Sequence, residues 1–220
     1  MFPPVEQATP EGLLAIGGDL SSDRLLDAYR RGIFPWYSAG QPILWWSPDP
    51  RAVLYLDEFK VSRSLNKLLR KRTYSVTVDQ SFREVVTACA APRKKDPVAG
   101  TWITHEMARA YNQLHVLGYA HSVETWYNGR LVGGLYGLAL GRGFFGESMF
   151  STVTDASKIA LVCLVEILKQ WHYAFVDCQL PSPHILSLGA VETPRSRFLL
   201  ELADALDAPD QIGDWRHIES

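Results

Sequence analysis

Cysteine is scarce in this sequence of 220 residues: Cys89, Cys163 and Cys178 stand alone, with no Cys-x-x-Cys spacing. An odd, scattered set argues against a disulfide framework and a structural zinc site, and expects a reducing, cytoplasmic setting. Long apolar runs are missing too. The longest candidate, Ile159 to Leu168, is about half of what a bilayer requires, and Lys158, Glu166 and Lys169 bound or interrupt it, so it reads as a buried helix. Met1 to Glu6 has neither a basic start nor an apolar run, which expects no signal peptide. His105, His115, His121, His172, His184 and His217 show no paired i, i+4 spacing with a third ligand, so no metal is expected. Repeats and low-complexity tracts are also absent; thirteen prolines and sixteen glycines are spread along the chain as turns and caps.

What is present is ample apolar material, 47% of residues, with 21% charged, enough for one large domain or two small ones around a sizeable core. The net charge of −2 hides an uneven distribution. From Lys60 to Lys95 ten Lys and Arg stand against Asp79 and Glu84, a local +8, whereas Leu199 to Ser220 carries six acids against Arg216, a local −5. Such a basic island is either a solvated helix face or the contact for a polyanion. Within it Arg63, Lys67, Arg70 and Lys71 fall at i, i+4, i+7 and i+8, with Arg72 at the end. Four cations on one helical stripe repel one another, and phosphates would neutralise them. Arg93, Lys94 and Lys95 extend the same run.

Pattern and punctuation divide the chain near Arg51. The first 51 residues, rich in Trp, Pro and Gly, read as a small N-terminal domain with one helix after Ser22 that places Leu25, Leu26 and Tyr29 on one face and stops at Gly32. The aromatic, proline-rich stretch that follows expects a rigid cap and no regular helix. Residues 52–220 read as a second domain of mixed strands and helices. Strands are predicted over Ala52–Leu56, Tyr74–Val78, His121–Tyr127, Arg130–Leu140, Gly143–Glu147 and Tyr173–Cys178. Helices are predicted over Arg63–Lys71 behind a Ser62 cap, from a Ser81-x-x-Glu84 capping box to Ala90, over Thr104–Leu117, over Thr154–Gln170, and from Pro194 onward. Asn128-Gly129 is the strongest hairpin signal. The fold class is therefore α+β with one mixed sheet.

Three segments bear on chemistry. Gly146-Glu147-Ser148-Met149-Phe150 closes a strand with a carboxylate among large apolar residues; it either lines a pocket or sits on a solvent edge. Phe150 stands where a serine-hydrolase elbow needs glycine. In Asp177-Cys178-Gln179, alternation puts Asp177 and Gln179 on one face at a strand end, and turns Cys178 away toward the core. Arg130 to Leu135 comes close to the Arg-x-x-Gly-x-Gly pyrophosphate loop, but Leu135 replaces its last glycine and the segment reads as strand, where backbone N–H groups are not free to cradle phosphate.

Taken together, Gly12 to Leu20, Arg31 to Trp36, Leu44 to Arg51, Gly100 to Thr104, Gly146 to Phe150 and Asp177 to Gln179 resemble, in order and in sequence, the leucyl/phenylalanyl-tRNA–protein transferases. The resemblance spans about residues 12 to 190 and departs at Ala91 to Ala99, a few residues longer here, and at both termini. It implies a small N-terminal domain joined to a C-terminal domain of GNAT-like (acyl-CoA N-acyltransferase-like) fold. There aminoacyl-tRNA replaces acyl-CoA and no cofactor is required. It implies Leu-tRNA and Phe-tRNA as donors, with Met also used, and as acceptors proteins beginning with Arg or Lys, which are thereby marked for N-degron degradation. By the same resemblance Trp36, Trp102, Leu135, Phe144, Gly146, Leu161, Leu168 and Val176 line the aminoacyl pocket, Glu147, Asp177 and Gln179 carry the chemistry, and the stripe from Arg63 to Arg72 meets tRNA. Two other readings remain open from the residues: an acyl-CoA-dependent small-molecule N-acyltransferase and a non-catalytic RNA-binding module.

Overall fold

A computed structural model describes residues 1–91 and 102–216; Arg93, Lys94 and Lys95 lie outside them. In chain order its elements are β1 (Leu13–Ile16), α1 (Ser22–Arg30), β2 (Phe34–Pro35), β3 (Leu44–Trp46), β4 (Arg51–Tyr55), α2 (Arg63–Arg70), β5 (Ser75–Val78), α3 (Phe82–Ala90), α4 (His105–Val116), β6 (Ala120–Tyr127), β7 (Arg130–Leu140), β8 (Gly143–Ser151), α5 (Ala156–Gln170), β9 (Phe175–Gln179), α6 (Pro183–Ser187), β10 (Val191–Thr193) and α7 (Arg195–Leu206). No helix among the described residues is long and apolar enough to cross a membrane.

Two sheets form. The aromatic N-terminal stretch makes a three-stranded antiparallel sheet in the order β1-β3-β2, held by Trp45, whose ring meets Phe2 edge-on at 4.8 Å and whose Nε1–H donates to Gly17 O at 2.9 Å. The larger sheet runs β10-β4-β9-β8-β7-β6-β5, antiparallel throughout except for the β8–β9 pair, which α5 connects. Asn128 and Gly129, at φ 50° and 71°, turn β6 into β7 as the hairpin signal requires. This is the mixed-sheet α+β architecture expected from the sequence.

Both faces of the large sheet are covered, so its strands are apolar on both sides rather than alternating with polar residues. Val53, Tyr136, Leu138, Phe145 and Phe175 pack against α1, α3, α4 and α7. Their neighbours Leu54, Leu135, Phe144 and Val176 pack against Leu161, Leu164 and Leu168 of α5. Helix α2 lies outside α5, with Leu65 set against Ile159 and Val162.

Several boundaries differ from expectation. The capping box at Ser81 does not form: its side chain caps nothing, and its N–H is 3.4 Å from Glu124 Oε1 of β6. Glu124 is buried there beside Thr77 and Ser122, which leaves Glu84 in solvent. Pro194 stands one position before the helix it was expected to open, and α5 begins at Ala156 behind Asp155, at φ 65°. Ser62 caps as expected, accepting from Leu65 N at 3.2 Å, whereas Thr104, expected as the first residue of its helix, instead caps it, accepting from Met107 N at 3.2 Å.

Gly133 explains the near-match to a pyrophosphate loop. It sits inside β7, where a Cβ would come within 2.5 Å of the Ala156 Cβ at the start of α5. The glycine is therefore a packing requirement of strand against helix. Gly133→Val is expected to lower stability by about 1–3 kcal/mol, the usual range for overpacking, as read from urea midpoints.

Candidate active site

The parallel ladder between β8 and β9 pairs Gly143, Phe144 and Phe145 with Phe175, Val176 and Asp177, and ends there. Each strand carries a β-bulge just beyond that last pair. On β8, Gly146 and Ser148 face the adjacent residues Gly137 and Tyr136, so Glu147 is the extra residue; on β9, Asp177 and Gln179 face Val53 and Ala52, so Cys178 is extra. A bulge re-aims side chains and ends regular pairing. Here two bulges turn three polar side chains inward, where the ladder no longer uses the backbone.

Asp177 is wholly buried and bound to Arg51 of β4. Arg51 Nε donates to Oδ1 at 2.8 Å and Nη2 to Oδ2 at 2.6 Å, its Nη1 donates to Gly32 O at 3.0 Å, and its guanidinium lies 4.8 Å from the ring centres of both Phe34 and Phe198. Asp177 Oδ1 also accepts from the backbone N–H of Gln179 at 2.9 Å, which helps hold Gln179 at φ 64°, a left-handed conformation uncommon outside glycine.

Glu147 joins the other elements. Tyr29 OH of α1 donates to its Oε1 at 2.6 Å, Tyr111 OH of α4 to its Oε2 at 2.7 Å, and Gln179 Nε2 to its Oε1 at 2.7 Å. The two tyrosine oxygens are also 2.6 Å apart. Glu147 is 8% exposed. Burial raises its carboxyl to about 7, outweighing the hydrogen bonds from Tyr111, Tyr29 and Gln179, with Asp177 adding to the rise. Burial likewise pushes the Tyr29 and Tyr111 hydroxyls well above their ordinary value, and the charge of Glu147 adds to this.

Beside this cluster opens a cavity of about 580 Å³ whose wall includes Trp102, Leu135, Phe144, Gly146, Leu161 and Val176. Glu147 forms part of the wall, as do Met149, Leu164, Cys178 and His184. Six of the eight expected pocket residues thus meet at one place. Trp36 and Leu168 are not on the wall: Trp36 is 40% exposed against Trp46, and Leu168 is wholly buried in the core behind Phe144. Cys178, expected in the core, is half-buried on the wall. A hollow of about 670 Å³ near Asp79, His115 and Arg216 contains none of the expected groups.

Arg63, Lys67, Arg70, Lys71 and Arg72 are all exposed on α2 and just after it, and among the described residues no carboxylate pairs with any of them. Sequence reasoning placed Tyr29 on a core face and left Arg51 and Tyr111 without a role. Nothing local marks these residues, because their partners are 118, 126 and 36 positions away.

Comparison with known proteins settles the lineage. The leucyl/phenylalanyl-tRNA protein transferase family matches residues 53–203, and the N-terminal domain of that family matches residues 18–49. This chain belongs to the leucyl/phenylalanyl-tRNA–protein transferase family. The leucyl/phenylalanyl-tRNA–protein transferase of Nitrosomonas europaea is 57% identical over 216 residues, covering 97% of this chain and 91% of that one. The one from Pseudomonas fluorescens is 59% identical over 212 residues, covering 96% and 93%. Among solved structures, L-PGS from Bacillus licheniformis is similar over 73% of this chain and 51% of that one, with 11% identity and a TM-score of 0.43.

Two measurements test the site of this transferase. Because Glu147 binds a proton more tightly folded than unfolded, its contribution to stability falls as pH rises from about 4.5 to about 7 and is level above that. Glu147→Gln is expected to flatten that part of the pH–stability curve, measured by urea midpoints at stepped pH. Arg51→Ala leaves Asp177 buried and unpaired and is expected to cost about 3–5 kcal/mol in the same measurement.

Proposed function

We propose that the protein transfers Leu or Phe, and also Met, from aminoacyl-tRNA to the α-amine of proteins whose first residue is Arg or Lys, and that it does so in the cytoplasm, marking those proteins for N-degron degradation. The observation that carries this reading is the apolar cavity with Glu147 on its wall and Gln179 hydrogen-bonded to Glu147. The cavity accommodates an apolar side chain, and the polar pair stands where an ester and an amine would meet.

The donor ester is already activated toward amines, and an α-amine has an ordinary pKa of about 7.7 to 8.0, so part of it is neutral nucleophile at cytoplasmic pH. No strong base is required. Most of the acceleration then comes from holding ester and amine together, a term of up to about 7 to 11 kcal/mol. As the amine attacks the ester carbonyl, positive charge grows on its nitrogen; the new N–C bond replaces the ester C–O bond, and the tRNA leaves as its terminal ribose hydroxyl, which gains the proton the nitrogen loses. The Gln179 amide donates its N–H to Glu147, which leaves its carbonyl oxygen available to accept from that nitrogen. Asp177 acts as a positioning residue. Its oxygens are taken by Arg51 and by the backbone N–H of Gln179, so it sets where the amide stands.

Leu135, Phe144, Gly146, Leu161 and Val176, with Trp102, would hold the donor side chain. Apolar walls discriminate by only about 1–3 kcal/mol per methylene, which admits Leu, Phe and Met together, while branching at Cβ is excluded sterically. Glu147 supplies the negative charge that an Arg or Lys acceptor needs. The unpaired cations from Arg63 to Arg72 would hold the tRNA through its phosphates.

Incubation with labelled Leu-tRNA and an Arg-initiated protein is expected to label the acceptor's N-terminus, and absence of label would end this reading. Gln179→Ala is expected to lower the single-turnover rate more than it lowers tRNA affinity; an unchanged rate would remove Gln179 from the chemistry. Arg63, Lys67 and Arg70 changed together to Gln are expected to weaken tRNA binding and reduce its salt dependence, measured by filter binding over a salt series.

A further inference from the structure

The Glu147 cluster contains more close oxygen contacts than it has hydroxyl protons to fill them. Glu147 Oε1 and Tyr29 O are 2.6 Å apart, Tyr29 O and Tyr111 O 2.6 Å, and Tyr111 O and Glu147 Oε2 2.7 Å. These three contacts close a ring through the carboxyl carbon. Each contact at that distance requires a proton, but the tyrosines together supply two. With an ionised Glu147, one pair of buried oxygens would face each other lone pair to lone pair.

We infer that Glu147 is an uncharged carboxylic acid in the free protein, that Tyr29 and Tyr111 complete with it a ring of three protons, and that a cationic acceptor binds by displacing one of them. The direction of the ring follows from Gln179. Its Nε2 donates to Oε1, which makes Oε1 the carbonyl oxygen, so the acid proton resides on Oε2. Oε2–H then donates to Tyr111, the reverse of the direction this bond takes when Glu147 is ionised, Tyr111 donates to Tyr29, and Tyr29 to Oε1. Every ring oxygen is satisfied, and Oε1 uses both lone pairs.

The surroundings favour the neutral form. Tyr29 faces the carboxyl from α1, Tyr111 from α4, and Gln179 from β9. From β7 comes Tyr136, whose buried hydroxyl has no hydrogen-bond partner among the described residues, with Cys89 of α3 beyond it. The nearby charged group is Asp177, a like charge, and its neutralising partner Arg51 is turned toward it. No cation within the described residues pairs with Glu147, so the neutral acid is the form the free site stabilises.

The consequence rests on the acceptor role given to Glu147 above. A guanidinium or ammonium group brought to the cavity stabilises the carboxylate, one proton leaves to solvent, and one ring contact opens. Acceptor affinity therefore rises with pH below neutrality, by up to about tenfold per pH unit, and levels once Glu147 is ionised in the free protein. Tyr29 and Tyr111 are positioning residues here, acting through Glu147.

Infrared difference spectra of the full chain without substrate, taken over a pH series, test the ring. The expected result is a carbonyl band of an un-ionised carboxyl at about pH 6 that fades through neutrality. Glu147→Gln should abolish it, and Tyr111→Phe should move it because the acid proton loses its acceptor. A band absent at that pH, or unmoved in Tyr111→Phe, would overturn the inference. Calorimetry with an Arg-initiated peptide in two buffers of different ionisation heat is expected to show proton release on binding; binding without release would overturn the coupling. The spectra need no substrate, so failure of the ring and failure of the transfer reading are separable.

Discussion

The buried pair between Arg51 and Asp177 is the interaction on which the rest of this structure depends. Arg51 stands at the first position of β4, where the N-terminal segment enters the large sheet, and it serves four partners at once: the Asp177 carboxylate, the Gly32 carbonyl behind α1, and the rings of Phe34 and Phe198. Its side chain is 1% exposed and that of Asp177 is fully buried. An ion pair taken that far out of water is seldom a net gain over apolar packing, but removing one partner is costly because the other is stranded. What the pair provides is registration. It ties the helix-and-sheet unit of the first fifty residues to the strand end that presents Gln179.

From that anchor the site follows. Asp177, fixed by Arg51, holds the Gln179 backbone in a left-handed conformation; Gln179 thereby reaches Glu147; and Glu147 is reached in turn by Tyr29 and Tyr111 from helices on the same face of the sheet. The apolar cavity lies against the opposite core, formed where β8 and β9 cease to pair. The polar cluster and the apolar cavity thus share one gap in the sheet, with the polar groups supplied from one layer and most of the apolar ones from the other. Burial beside the cavity raises the Glu147 carboxyl toward neutrality, so under the proposed function the wall that would take an apolar donor would also set the charge state offered to the acceptor.

Much of this was legible locally. The helix ending at Gly32, the Ser62 cap and the Asn128-Gly129 turn depend on interactions within a few residues, and they appear where their signals stand. Alternation within Tyr173–Cys178 correctly put Asp177 and Gln179 on one side. The Ser81 capping box failed because a buried glutamate from a distant strand competed for the same N–H, which no local pattern contains. Trp36 and Leu168 differ from the other pocket residues for a similar reason: an exposed turn and a helix buried all round carry no sign of which wall they face.

By itself the sequence determined its elements, its α+β class, the basic face of α2 and the family to which the chain belongs, because each rests on short-range periodicity or on residues recognisable in order. Only the tertiary structure decided that Glu147 meets two tyrosines and a glutamine, that Asp177 is neutralised by Arg51, and that two bulges open the sheet beside an apolar chamber. These contacts join residues from 32 to 126 positions apart, and burial, which shifts the Glu147 proton affinity, exists only once the layers have closed.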